Sequence, residues 1–321
     1  ESIVHVSLED LGLYMSPESA QELRFEDLRR RLQAAAPGVR VEWWPETGVI
    51  GSDEHRRVVF VQDGEGRVEL RPEGSSSEFS VGDVLLAQPG QVLDFEPPAS
   101  LLAFVVPRPS PDGLPWIIRP DWDPRITDTP GGCATDDEAY RRLVLTGQEE
   151  KGPYVYRGLN AHRVRITDSF THYHPVEGGF DELYLIQEAA PGSHLWVGED
   201  LEPFLHPDVY ALGDSSGILR KVPVSVGDLI YVPRGVGNSF QALEDGTAYT
   251  YLVDAHWSLE LKRTYTFVNL ADPELAIEWP IPLDEATVSD ADLNHPMLKD
   301  VVPMAPKRTL VTGCNGQLGH A

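Results

Sequence analysis

Basic residues are scarce in this chain of 321 residues: 26 Lys and Arg stand against 51 Asp and Glu, a formal net charge of −25. Such a balance repels phosphate, so neither nucleic acid nor an anionic membrane surface is expected as a partner. Cysteine is nearly missing; Cys133 and Cys314 cannot build a disulfide framework, and a reducing, cytoplasmic setting is the expectation. No apolar run reaches the roughly 18 residues that a membrane helix needs, and Leu101–Val106 reads as a short strand. The opening Glu1-Ser-Ile-Val-His5 carries neither the basic nor the apolar stretch of a secretion signal. What is plentiful is glycine and proline, 28 and 27 residues, which with 41% apolar residues describes a turn-rich folded protein. At roughly 150 residues per domain the length suggests about two.

One helix is legible near the start. Ser16 suits its cap, Pro17 its first turn, Leu23, Phe25, Leu28 and Leu32 recur at helical spacing, and Pro37-Gly38 stops it. Its apolar stripe predicts a helix laid against a sheet. From Arg56 onward short β-runs (Arg56–Gln62, Arg67–Arg71, Val84–Ala87, Leu101–Val106) alternate with turn clusters, the pattern of a sandwich or barrel. A Pro- and Asp-rich stretch follows, and then a second series: Arg141–Leu145, Tyr154–Tyr156, His162–Ile166, Glu182–Gln187, His194–Val197, Asp228–Val232 and Ala248–Val253. The halves share a repeat, since Val81-Gly-Asp-Val-Leu-Leu-Ala-Gln-Pro-Gly90 echoes Val226-Gly-Asp-Leu-Ile-Tyr-Val-Pro-Arg-Gly235. Two similar β-domains are the simplest account. Beyond Trp257, prolines at 273, 280, 282 and 296 forbid long regular elements and predict an irregular tail over a barrel.

His172-Tyr-His174 is the sharpest chemical signal. Alternate strand residues share a face, so both imidazoles project into one space. Glu182 opens the next β-run and could join them from a neighbouring strand; Glu177, in a Gly-flanked turn, is its rival. Two His and a carboxylate leave coordination positions open for water or substrate.

This text, His172-x-His174, then Glu182, then Gly227-Asp228 and Pro233-Arg-Gly235, resembles the two motifs of the cupin superfamily, double-stranded β-helix barrels of the jelly-roll kind. Ile118–Pro124, Thr129–Cys133 and His172–Glu182 further resemble a group of bacterial bicupins. The resemblance implies an all-β fold with two cupin barrels, an N-terminal helix and an irregular C-terminal tail. The expected layout is helix plus degenerate barrel over 1–106, a Pro-rich belt over 107–135, a metal-binding barrel over 136–258, a tail over 259–306 and a further start over 307–321. It implies a divalent transition metal (iron, manganese, zinc or nickel) on His172, His174, Glu182 and Asn238, where Asn238 stands in place of the fourth His of the family. The first half has only His55, with Leu93 at the fourth-ligand place, and is expected to be metal-free. A homodimer is the family expectation.

A second resemblance begins near Tyr231. Val232–Trp257, Asn269–Pro280, Val288–Asp292 and Pro296–Leu298 resemble, in order and spacing, the end of dTDP-4-dehydrorhamnose 3,5-epimerase. That family shifts a proton beside a sugar carbonyl with a His base and a Tyr acid. Tyr251 falls at the Tyr place; Asn160 of Arg157-Gly-Leu-Asn160 replaces the His, and His162, two residues on and so on the same face, is the candidate base. Arg157, Arg163 and Arg165 are candidate diphosphate partners, and equally candidates for a solvated edge. Lys307–Gly319 resembles the opening of the matching reductase, with Gly313, Gly316 and Gly319 as a vestigial dinucleotide turn, since the βαβ unit that such a site needs is not present by Ala321. The chain reads as a composite joined near residue 235. Three functions follow: a cupin with a metal site for a small polar substrate, a metal-independent nucleotide-sugar epimerase, or a non-catalytic barrel.

Overall fold

Strands of the first half carry two apolar sets, and each set enters a different core. Val58 and Phe60 of β3 (Arg57–Asp63), Val84 and Leu86 of β6 (Val84–Ala87), and Leu102 and Phe104 of β7 (Val92–Val105) face one core. Val59, Val61, Leu85, Ala87, Leu101 and Ala103 face another. Successive strand residues point to opposite faces, so a sheet apolar on both must be covered on both. The computed structural model describes residues 13–15, 22–51, 53–107, 113–126, 129–130, 141–146, 159–174, 179, 181–198, 219–232, 237–244, 247–253, 260, 267–273, 275, 277–300, 309–311 and 318–320.

The architecture is all-β and of the jelly-roll kind. In the first barrel, β2 (Arg40–Gly51) and β7 are long antiparallel partners. The C-terminal part of β7 also pairs with β3, and its N-terminal part with β4 (Gly66–Arg71), which carries β5 (Ser75–Phe79). The two long strands thus run through both walls, and Ile50, Val68, Leu70, Phe79, Leu93 and Phe95 fill the space between. β6 pairs with β3, and β8 (Ile117–Ile118) extends that edge.

The second barrel repeats the plan with interrupted strands. Its main sheet runs β16 (Leu229–Val232), β13 (Glu182–Leu185), β18 (Thr247–Val253), β11 (Asn160–Ile166), β10 (Arg141–Thr146), β9 (Thr129–Pro130). Opposite lie the pairs β12 (Ser169–Tyr173) with β17 (Gly237–Gln241), and β14 (His194–Gly198) with β15 (Leu219–Pro223). The free edge of β16 is filled by β1 (Leu13–Met15), from the far end of the chain.

The shared core lies between the barrels. Leu183 and Leu185 of β13, Leu229 and Tyr231 of β16, and Leu252 of β18 pack with Phe60 and Phe104. The helix α1 (Glu22–Ala35) drops Phe25 and Leu28 into it, and Gly38, at φ +90°, ends the helix beside Pro37 as expected. Ser16 and Pro17 lie outside the described residues.

The echoed turns are structural equivalents. Gly82 and Gly227 hold φ of +92° and +91°, which only glycine adopts without strain. Asp83 Oδ2 accepts from Ser80 N at 2.9 Å and Asp228 Oδ2 from Ser225 N at 2.7 Å. The neighbouring strands answer alike: Val61 and Ile186 each donate to and accept from their turn. The next residues, Gln62 and Gln187, meet each other, Gln187 Nε2 donating to Gln62 Oε1 and to Val61 O, both at 3.1 Å.

Several expectations needed revision. β2 and β5 are not among the β-runs expected from the sequence, and the expected strand Leu101–Val106 is only the last part of β7. Tyr154–Tyr156 lies outside the described residues. Residues 277–300 are irregular as expected, with one short helix α2 (Asp290–Leu293) and a single-turn 3₁₀ segment at Leu298–Asp300. This strap is held to the barrel through Ser169 N to Thr287 O, and through Gln241, whose side chain bonds both N and O of Ile281. Gly319 sits in β20 (Leu318–His320), which returns antiparallel on β19 (Thr309–Val311); a dinucleotide turn would require a helix there. Gly313 and Gly316 lie outside the described residues. Among the described residues no helix is long and apolar enough to cross a membrane.

Candidate active site

The second barrel is lined by the other face of β11, β13 and β18. Leu183 and Leu185 point into the shared core, so Glu182 and Tyr184 point into the barrel. By the same alternation His162, Val164 and Ile166 of β11 point inward, with Tyr249 and Tyr251 of β18. Register then sets a row: His162 lies opposite Tyr251, and Tyr251 opposite Tyr184.

The rings follow the register. His162 stacks on Tyr251 with centroids 5.1 Å apart and 29° between planes, and Tyr251 stacks on Tyr184 at 5.8 Å and 28°. Phe240, Tyr249 and Phe170 continue the aromatic lining. Tyr184 donates to Glu182 Oε2 at 2.8 Å. Burial, then the Glu182 carboxylate, pushes the Tyr184 phenol well above its ordinary value. Tyr184 therefore stays protonated and acts as a fixed donor. His162, His174 and Glu182 are all buried.

The candidate metal ligands are brought together only in part. His174 Nδ1 approaches Glu182 Oε2 at 3.6 Å, which is attraction between charges only if the imidazole is protonated. His172 lies opposite Asn238 in the β12–β17 pair, but the side chains of both lie outside the described residues. Among the described residues no three His, Cys, Asp or Glu converge. His174 and Glu182 are the two of the four candidate ligands whose side chains are described.

Of the candidate phosphate-binding arginines, Arg163 turns away from the barrel interior. Arg163 alternates with His162 and so leaves the barrel interior; it is 1% exposed, between the two barrels. Its Nη1 donates to Gln187 Oε1 at 2.8 Å and its Nη2 to Asp121 Oδ2 at 2.8 Å. A Cβ on Gly82 would come within 3.1 Å of the guanidinium, so the glycine of the first barrel's turn also makes room for this arginine. Arg165 lies 3.6 Å from Asp121, and Arg157 is outside the described residues. Sequence reasoning missed Tyr184 and Gln187. Tyr184 had a usable signal, being two residues from Glu182 on one strand; Gln187 had none, since its partners are far away in sequence.

Comparison with known proteins places the C-terminal part. Residues 223–300 match the family of dTDP-4-dehydrorhamnose 3,5-epimerase. A protein from Streptococcus pyogenes serotype M6 described as an RmlC homolog is 46% identical over 141 residues, 43% of this chain and 66% of that relative. A dTDP-4-dehydrorhamnose 3,5-epimerase of Mycobacterium tuberculosis is 34% identical over 73 residues, 22% of this chain and 35% of that protein. The structure of RmlC from Streptococcus suis in complex with dTDP-D-xylose aligns at 38% identity over 46% of this chain and 68% of that one, with a TM-score of 0.32. The chain thus spans 66% of the first curated relative and about a third of the second. Residues 223–300, which hold the Gly-Asp turn, Tyr251 and the strap, are the part that resembles the dTDP-4-dehydrorhamnose 3,5-epimerase family.

Proposed function

We propose that the second barrel moves a proton beside the ketone of a nucleotide-linked 4-keto-6-deoxy sugar, as an epimerase of the dTDP-sugar kind. The observation that carries this reading is the buried His162–Tyr251 stack, set opposite in register, with Tyr251 inside the epimerase-family segment. His162 takes the proton from the carbon next to the carbonyl, leaving an enolate. The Tyr251 hydroxyl serves as the acid that returns a proton to that carbon. Exchange with water then resets both groups. Tyr184, held protonated on Glu182, packs on Tyr251 and fixes its plane. Buried donors and acceptors at fixed places are what such chemistry needs. The substrate is a small molecule, and a net charge of −25 disfavours nucleic acid as a partner.

The test is deuterium uptake at C3 and C5 of dTDP-4-keto-6-deoxyglucose in heavy water, read by NMR. Uptake at either carbon that falls with Tyr251→Phe and His162→Asn supports the reading. No uptake with the folded protein overturns it.

The His174–Glu182 contact favours one second reading, a divalent metal held by His172, His174, Glu182 and Asn238. Plasma mass spectrometry of the purified protein tests it: near-stoichiometric metal, lost on His172→Ala and His174→Ala, supports it, and metal-free protein removes it. A homodimer and a cytoplasmic setting accompany the proposal as expectations.

A further inference from the structure

Away from the second barrel, a large aromatic side chain stands in solvent. Trp122 is 66% exposed and rises between two clefts that share it, Glu65 and Ser80. The larger cleft, about 710 Å³, runs along β4 and β5 of the first barrel; the smaller, about 480 Å³, continues toward Arg165 and Glu188 of the second.

The indole is held in place. Asp83, 1% exposed, accepts from Arg119 Nε at 2.8 Å. Arg119 also reaches Ser80 Oγ at 3.3 Å, and its guanidinium lies 5.6 Å from the centre of the Trp122 ring. The backbone of Trp122 bonds to Arg119 O in the same turn. An exposed tryptophan anchored through a buried carboxylate is a preorganised platform, and preorganisation lowers the cost of binding.

The lining chooses the ligand. The larger cleft sets Glu65 and Glu78 against Arg67 and Arg119, with Arg119 already engaged by Asp83 and Glu78, and the smaller cleft adds Asp63, Asp121 and Glu188 against Arg165, so carboxylates outnumber guanidinium groups across the two. Anions are therefore repelled. A cation would compete with Arg119, which already lies against the indole. An apolar peptide face would leave these charges desolvated. What fits is a neutral ligand that donates to carboxylates and accepts from guanidinium and serine within the same few ångströms, while laying a C–H face on an aromatic ring. That is the chemistry of a pyranose with vicinal hydroxyls.

We infer that the Trp122 clefts bind a neutral saccharide, one ring stacked on the indole and a second unit reaching along the adjoining cleft. The site is separate from the interior of the second barrel and does not depend on the activity proposed for it.

The test is isothermal titration together with saturation-transfer NMR, using glucose, galactose, maltose and cellobiose, with spermidine and inorganic phosphate as controls. At least one sugar is expected to bind in the millimolar range or tighter, a disaccharide more tightly than its monosaccharide. Trp122→Ala should weaken it at least about tenfold, and Trp122→Phe should stay within about threefold of the parent, since the ring is retained. Circular dichroism checks that both variants fold. The inference is overturned if no sugar binds up to about 50 mM, if Trp122→Ala binds as well as the parent, or if spermidine or phosphate binds in a Trp122-dependent way where the sugars do not.

Discussion

The two barrels share strands, turns and a core, yet their interiors were filled in opposite ways. Register makes the positions comparable. Ala103 of β7 lies opposite Val59 and Glu42; Tyr251 of β18 lies opposite Tyr184 and His162. Arg57 takes the place that Glu182 has, each opening its strand and facing a valine. In the first barrel the interior is apolar, and Arg57 is tied to Glu42 at 2.8 Å and to Asp53 at 2.6 and 2.8 Å. The Arg57 hydrogen bond holds the Asp53 carboxyl far below the usual range. Burial raises Glu42, but bonds from Arg57 and Arg40 outweigh it and leave that carboxyl lowered. In the second barrel the same positions carry imidazole, phenol and carboxylate in one row. One copy of the plan is a closed support, and the other has the groups for chemistry.

The largest effect expected from this contrast is in the second barrel. Tyr251→Phe should cut deuterium exchange about a thousandfold, equivalent to about 4 kcal/mol, with unfolding unchanged within about 0.5 kcal/mol. An equal loss from Glu42→Gln, the first-barrel counterpart of His162, would break the contrast. Next comes Phe60→Ala, in the core that both barrels share. It should cost about 3–4 kcal/mol, and a denaturant melt should show both barrels lost in one transition. Two separated transitions would show that the barrels stand alone.

Asp83 gives a third handle. Burial pushes its carboxyl up to about 6, against the opposing pull of Arg119. The folded state then holds the proton more tightly than the unfolded chain. Stability from this group is greatest below about pH 4 and declines as pH rises to about 6, by up to about 3 kcal/mol. Asp83→Asn should flatten the dependence of Tm on pH across that window, and an unchanged slope would remove Asp83 from it. The smallest effect is at the contact between the repeats. Gln62→Leu removes one acceptor from Gln187 and should cost about 1 kcal/mol while leaving exchange in the second barrel intact.

Much of this plan was readable. The Gly-Asp turns announced both barrels, because a glycine forced to positive φ and an aspartate bonding back to the turn leave a short, recognisable text. β2 did not announce itself. Pro45 and Gly48 interrupt it, and what keeps it extended is β7, some fifty residues away. The paired histidines drew attention to a metal, yet the described donors reach only a pair. Tyr251 was legible through its surroundings, whereas the outward turn of Arg163 depends on Asp121 and Gln187, which no local pattern connects.

The edge strand β1 has a consequence for how the chain is made. Leu13, Tyr14 and Met15 leave the ribosome more than two hundred residues before their partners Tyr231, Ile230 and Leu229. At ordinary elongation rates that is a wait on the order of 10–40 s. The first barrel can be complete long before the segment that precedes it finds its seat, on an edge of the barrel translated second.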